Sequence, residues 1–188
     1  LAAVICIEDP LREEAPSVIR QLKEAGFKRI VMMTGDSERT AAAIAKKVGV
    51  DDYFSEVLPE DKARFVEEEK AKGRKVIMIG DGINDSPALS AADAGIAVSE
   101  GAEIAREIAD IMIKKDSLDE VVLLRQLSMD LMKRVHGNYR FVISFNLGLI
   151  LLGVAGIITP SMSALLHNSS TLAISLKSMT NLLPEEEA

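Results

Sequence analysis

The chain has 188 residues, 48% of them hydrophobic, with a net charge of −7; the mean hydropathy of +0.16 is high for a wholly soluble protein. The acidic balance argues against a nucleic-acid surface. A single cysteine, Cys6, excludes an internal disulfide, and in its apolar run it reads as a small core residue.

In chain order, residues 1–116 alternate between β-branched runs and helical stretches. Strands are predicted at Leu1–Ile7, Arg29–Met33, Tyr53–Val57, Lys75–Ile79, Ala94–Ala97 and Ile108–Ile113, and helices at Leu11–Ala25, Ser37–Val48, Pro59–Lys72 and Asp85–Ala92. Pro59 opens a helix, and Gly26, Gly49 and Gly73 stop others. A strand-like run at Leu1, with no initiator methionine, leads us to expect that the natural start lies upstream. The alternation implies βαβ units and an α/β fold on a mostly parallel sheet with helices on both faces, whose functional residues lie beyond the carboxyl ends of the strands. That places Asp9, Thr34-Gly35-Asp36 and Gly80-Asp81-Gly82 on one rim.

Charges continue to Arg140 and are almost absent between Phe141 and Leu183. Residues 117–138 read as an amphipathic linking helix with Val121, Leu124, Leu127, Leu131 and Val135 at helical spacing. Phe141–Ile158 then runs eighteen residues without a charge, near the minimum for crossing a bilayer. After a Thr159-Pro160-Ser161 break, Met162–Leu183 would be a weak span alone, but can insert as the second half of an antiparallel hairpin over 139–188. Lys133, Arg134 and Arg140 at one end of the first span put residues 1–116 in the cytoplasm by the positive-inside rule.

The chemistry gathers at the rim. In Gly80-Asp81-Gly82-Ile83-Asn84-Asp85, two carboxylates four residues apart straddle a strand-to-helix turn, and such hard oxygen ligands suit Mg²⁺. Thr34-Gly35-Asp36 offers a hydroxyl and helix-start N–H groups to a phosphate; Asp36 can equally be read as a helix cap. Lys62 sits in a first helical turn, where a cation is unfavourable unless it reaches an anion.

Together these residues resemble the phosphorylation domain of P-type ATPases, a branch of the haloacid dehalogenase superfamily. Thr34-Gly35-Asp36 matches the family's TGD motif, Lys62 its phosphate-binding lysine, and Gly80–Leu89 its GDGxNDxPAL hinge signature over its full length; Asp9–Arg12 and Gly101–Asp110 also read like the family. The resemblance implies that Asp81 ligates Mg²⁺, that Asp85 and Asn84 orient the metal and phosphate, that Thr34 bonds the transferred phosphoryl group, that Lys62 neutralises it, and that Gly35 and Asp36 shape the loop. It further implies a nucleophilic aspartate in a DKTGT motif, which these 188 residues lack, with ATP bound mainly by upstream domains. The chain by itself is therefore expected to be inactive.

Two membrane helices after such a domain resemble the heavy-metal branch, which implies a multi-pass protein of the cell membrane. Phe145-Asn146 resembles the Tyr-Asn pair of copper pumps, and His167-Asn168-Ser169-Ser170-Thr171 takes the place of their Met-x-x-Ser-Ser. Imidazole in place of a thioether favours borderline divalent ions of the Zn, Mn, Fe or Co class. Asn146, His167, Asn168, Ser170 and Thr171 are the candidate cation contacts; helix-to-helix hydrogen bonding is the competing reading for Asn146, Ser170 and Thr171. A soluble phosphatase of the same superfamily and a potassium-pump subunit are the alternatives; the uncharged run counts against the first.

Overall fold

The computed structural model describes residues 11–80, 83–98, 107–113 and 117–182. The predicted strand Leu1–Ile7 lies outside them. The chain divides into two compact units, Leu1–Leu123 and Leu124–Ala188.

Among the described residues the first unit holds two parallel sheets. One pairs β1 (Val31–Met33) with β2 (Asp52–Phe54), in the register Val31 to Asp52. The other runs in the order β3 (Ile77–Gly80), β4 (Ala94–Val98), β5 (Ile111–Ile113). Helices α1 (Ala15–Glu24), α2 (Glu38–Val48), α3 (Pro59–Ala71) and α4 (Ser86–Ala91) alternate with them, so the α/β reading holds. Helix α1 buries Ala15, Val18 and Leu22, and α2 buries Ala41, Ala45 and Val48; both are single apolar stripes at helical spacing. In the three-stranded sheet β4 lies in the centre, with Gly95–Val98 all buried, the continuous run expected of a strand covered on both faces.

The elements depart from expectation where local chemistry overrides pattern. Strand β2 ends at Phe54 rather than Val57, because Glu56 takes a left-handed φ of 53° and the chain folds back onto the preceding loop. Strand β5 begins at Ile111, not Ile108; Glu107 and Ile108 are helical, and Asp110 turns its carboxylate to the N–H of Gly95 at 2.8 Å. Gly26, Gly49 and Gly73 stop their helices with φ of 95°, 83° and 77°, as predicted.

In the second unit, helix α5 runs unbroken from Asp119 to Val154, although its first residues, including buried Val121 and Val122, belong to the first unit. The linking helix and the first span are therefore one element: no proline intervenes, and Gly137, Gly148 and Gly153 do not interrupt it. The break falls earlier than Thr159. Gly156, with φ of 71°, closes α5 through N–H bonds from Gly156 to the Gly153 carbonyl and from Ile157 to the Leu152 carbonyl, each 3.0 Å. Pro160 and Ser161 then open α6 (Pro160–Ser178), whose cap Thr159 accepts from the Met162 N–H at 3.3 Å. Among the described residues α5 is the one helix long and apolar enough to cross a membrane. The two helices run antiparallel: Asn138 donates to the Ser178 hydroxyl at 2.9 Å, and Arg134 to the carbonyls of Ser178 and Thr180 at 3.3 and 2.6 Å. Leu149 is buried, whereas Ile150, Leu151, Val154, Leu165 and Leu172 stay exposed, a surface suited to lipid or further helices.

At the far end of α3, buried Glu69 gathers Lys72 at 2.8 Å, Arg29 at 3.3 Å and Arg74. The hydrogen bond from Lys72, then that from Arg74, holds its carboxyl down at about 2. Because the folded value is depressed, the stabilisation is present above the ordinary carboxylate range and is lost as pH falls from about 4.5 towards 2. The protection of α3 amides against hydrogen exchange, relative to the intrinsic rate at each pH, should therefore fall over that window in the solubilised chain; Glu69→Gln should be less protected at pH 7 and should lose this pH dependence.

Candidate active site

The rim is built by two loops. After β1, the Thr34 N–H donates to the Phe54 carbonyl at 3.0 Å, and the chain turns. The Thr34 hydroxyl donates to Asp36 Oδ2 at 2.8 Å, while the Asp36 N–H donates back to Thr34 Oγ1 at 3.1 Å. The loop after β2 clasps this turn, with Glu56 N–H on the Asp36 carbonyl at 2.9 Å and Val57 N–H on the Thr34 carbonyl at 3.0 Å. Asp36 is thus a loop brace; the cap position of α2 belongs to Ser37. A side chain at Gly35 would meet only the Val57 carbonyl, at 3.9 Å, so the turn itself does not demand glycine there.

The same clasping loop leads into α3, which starts at Pro59 and carries Lys62 in its first turn. Lys62 Nζ reaches Asp85 Oδ1 at 2.8 Å, and the two side chains are 15% and 12% exposed. That contact answers the electrostatic objection to a lysine at a helix start: an anion is there to receive it. Asp85 ends the short 3₁₀ turn Ile83–Asp85 after β3 and caps α4. Its carboxylate lies over Gly80, where an added Cβ would stand 2.6 Å from Asp85 Cβ and 2.7 Å from Oδ2. Asn84 is exposed on the same turn. Asp81 lies outside the described residues. Lys62 and Asp85 are therefore brought into contact; Thr34 is tied to Asp36 and, through the backbone of Glu56 and Val57, to the start of α3.

Sequence reasoning missed Ser86. Its hydroxyl is buried and has no hydrogen-bond partner among the described residues. Within the hinge signature it passed as an ordinary helix-start serine, and nothing in the residue pattern marks its isolation.

A second polar cluster lies in the hairpin. His167 Nδ1 stands 2.8 Å from Asn146 Oδ1. The hydroxyls of Ser170 and Thr171 donate to the His167 carbonyl at 2.8 and 3.0 Å. Four of the five candidate cation contacts thus form one connected group; Asn168 is exposed and outside it.

Comparisons with known proteins show what the chain as a whole is similar to. Residues 1–93 match the family of haloacid dehalogenase-like hydrolases. The chain is 38% identical over 175 residues to a manganese-exporting P-type ATPase of Mycobacterium leprae, an alignment covering 93% of this chain and 24% of that protein. It is 42% identical over 166 residues to copper-transporting ATPase 2 of Rhizobium meliloti, covering 88% of this chain and 20% of the relative. The crystal structure of a zinc-transporting PIB-type ATPase in its E2.Pi state superposes with a TM-score of 0.78 at 32% identity, covering 92% of this chain and 28% of that one. The chain thus spans about a quarter of the length of the relatives it matches.

Gly80→Ala should force Asp85 aside and break its contact with Lys62. We expect a loss of about 1–3 kcal/mol in thermal or denaturant unfolding, and a much smaller loss when the same change is made in an Asp85→Gly background.

Proposed function

We propose, from the premise that this chain carries a haloacid dehalogenase-like hydrolase domain and belongs among the heavy-metal P-type ATPases, that it is the C-terminal part of an ATP-driven exporter of a divalent transition metal. The observation that carries the reading is the Lys62–Asp85 contact at the strand ends, inside Gly80–Leu89.

The rim residues suit phosphoryl transfer from a phosphoaspartate formed on an upstream segment. The Lys62 ammonium offsets charge on the transferred group, and the Thr34 hydroxyl, held in place by Asp36, is a donor to it. Asp85 is a nearly buried hard-oxygen donor and fits Mg²⁺. Asp81 and Asp85 would hold that ion, and Asn84 would orient the phosphate beside it. When bound, Mg²⁺ would neutralise charge on the phosphoryl oxygens. The Lys62–Asp85 pair keeps both groups in place and mutually compensated, so that neither is left as an isolated buried charge.

The hairpin, uncharged from Phe141 to Leu176, is the cation's route. An imidazole where copper pumps carry a thioether selects the Zn, Mn, Fe or Co class over Cu(I). The manganese-exporting relative and the zinc-transporting structure support this choice, whereas the copper-transporting relative supports the competing assignment. Lys133, Arg134 and Arg140 set the rim domain on the cytoplasmic side of a multi-pass membrane protein.

In the whole protein containing this chain, reconstituted in vesicles, Lys62→Met should lower metal-stimulated ATP hydrolysis about 10²–10³-fold. His167→Ala should abolish stimulation by Zn²⁺, Mn²⁺ and Co²⁺. Unchanged stimulation by each of these ions in the His167 variant would overturn the metal assignment.

A further inference from the structure

Resting on that reading of the hairpin, we infer that Asn146 is not a cation ligand but a positioning residue, which holds His167 as the Nδ1–H tautomer and so leaves the Nε2 lone pair to meet the metal. The argument begins with the 2.8 Å contact between His167 Nδ1 and Asn146 Oδ1. An amide oxygen has no proton to give, so the proton in this bond is on Nδ1. A neutral imidazole carries one such proton, and Nε2 is then an unprotonated donor atom. The bond also spans two helices, from α5 to α6, so it fixes ring orientation together with tautomer. A metal-binding histidine steered through its other nitrogen commonly depends on such a partner.

The neighbours leave this arrangement undisturbed. Ser170 and Thr171 use their hydroxyl protons on the His167 carbonyl, so neither proton competes for Nε2. No charged residue occurs from Phe141 to Leu176, and no cluster of three or more His, Cys, Asp or Glu suited to a metal occurs among the described residues. The pair therefore offers one neutral nitrogen to a borderline divalent ion, and oxygen or nitrogen ligands from elsewhere must complete the shell. The Asn146 oxygen spends one of its two lone pairs on the histidine.

The test uses the full chain in detergent or nanodiscs with ¹⁵N-labelled histidine, in a His136→Gln background so that His167 is the only imidazole. NMR should show a protonated Nδ1 and an unprotonated Nε2. Asn146→Gln keeps a neutral amide acceptor and should keep this tautomer; Asn146→Leu removes it and should release His167 to a mixture of forms. In parallel, Co²⁺ alone is titrated and its ligand-field absorption followed. Affinity should fall about 10–100-fold in Asn146→Leu and recover in Asn146→Gln, and equal helicity of the two variants by circular dichroism ties the difference to the acceptor. A proton on Nε2 in the unaltered pair, or a tautomer unmoved by Asn146→Leu, overturns the inference while leaving the metal reading standing. The expected tautomer with Co²⁺ binding untouched by His167→Ala instead overturns the metal reading of the hairpin.

Discussion

The account depends on one nearly desolvated ion pair. Lys62 and Asp85 come from different segments, one from the helix after β2 and the other from the turn after β3, and meet at 2.8 Å. Removing two charges from water is costly, and a buried pair recovers that cost only with close geometry. Sequence and fold supply that geometry. Pro59 sets the start of α3, and Gly80 leaves the space that the Asp85 carboxylate fills. The contact ties the first turn of α3 to the turn after β3.

Around the pair, the rim is a set of braces. Thr34 and Asp36 hold one another, Glu56 accepts an unfavourable backbone conformation to reach the Asp36 carbonyl, and Val57 secures the Thr34 carbonyl. A left-handed φ at a non-glycine residue costs roughly 1 kcal/mol or more. Here it lies between the threonine loop and the lysine helix, where it links the two.

Much of this was legible in the residues. The hinge signature, the threonine loop and the lysine in a first helical turn pointed to one rim, and the dipole argument alone asked for an anion near Lys62. The glycine stops and the α/β alternation followed from propensity. What was not legible depended on contacts distant in sequence. The end of β2 is set by a bond from Glu56 to the loop after β1. The union of linker and membrane helix reflects the absence of any strong breaker before Gly156, which a division by charge content overlooks. The direct bond between Asn146 and His167 joins residues twenty-one positions apart; resemblance to copper pumps nominated both as cation contacts, and the bond between them is what our proposal of separate roles rests on. The isolation of Ser86 had no signal at all.

The most direct measurement is a double-mutant cycle of Lys62→Met and Asp85→Asn, read as unfolding free energy of the chain. Residues in one buried ion pair should couple by about 1–3 kcal/mol, with each single change costing more than its share of the double. Costs that add to within about 0.5 kcal/mol would show that the two side chains do not share a site, and the rim as described would not exist.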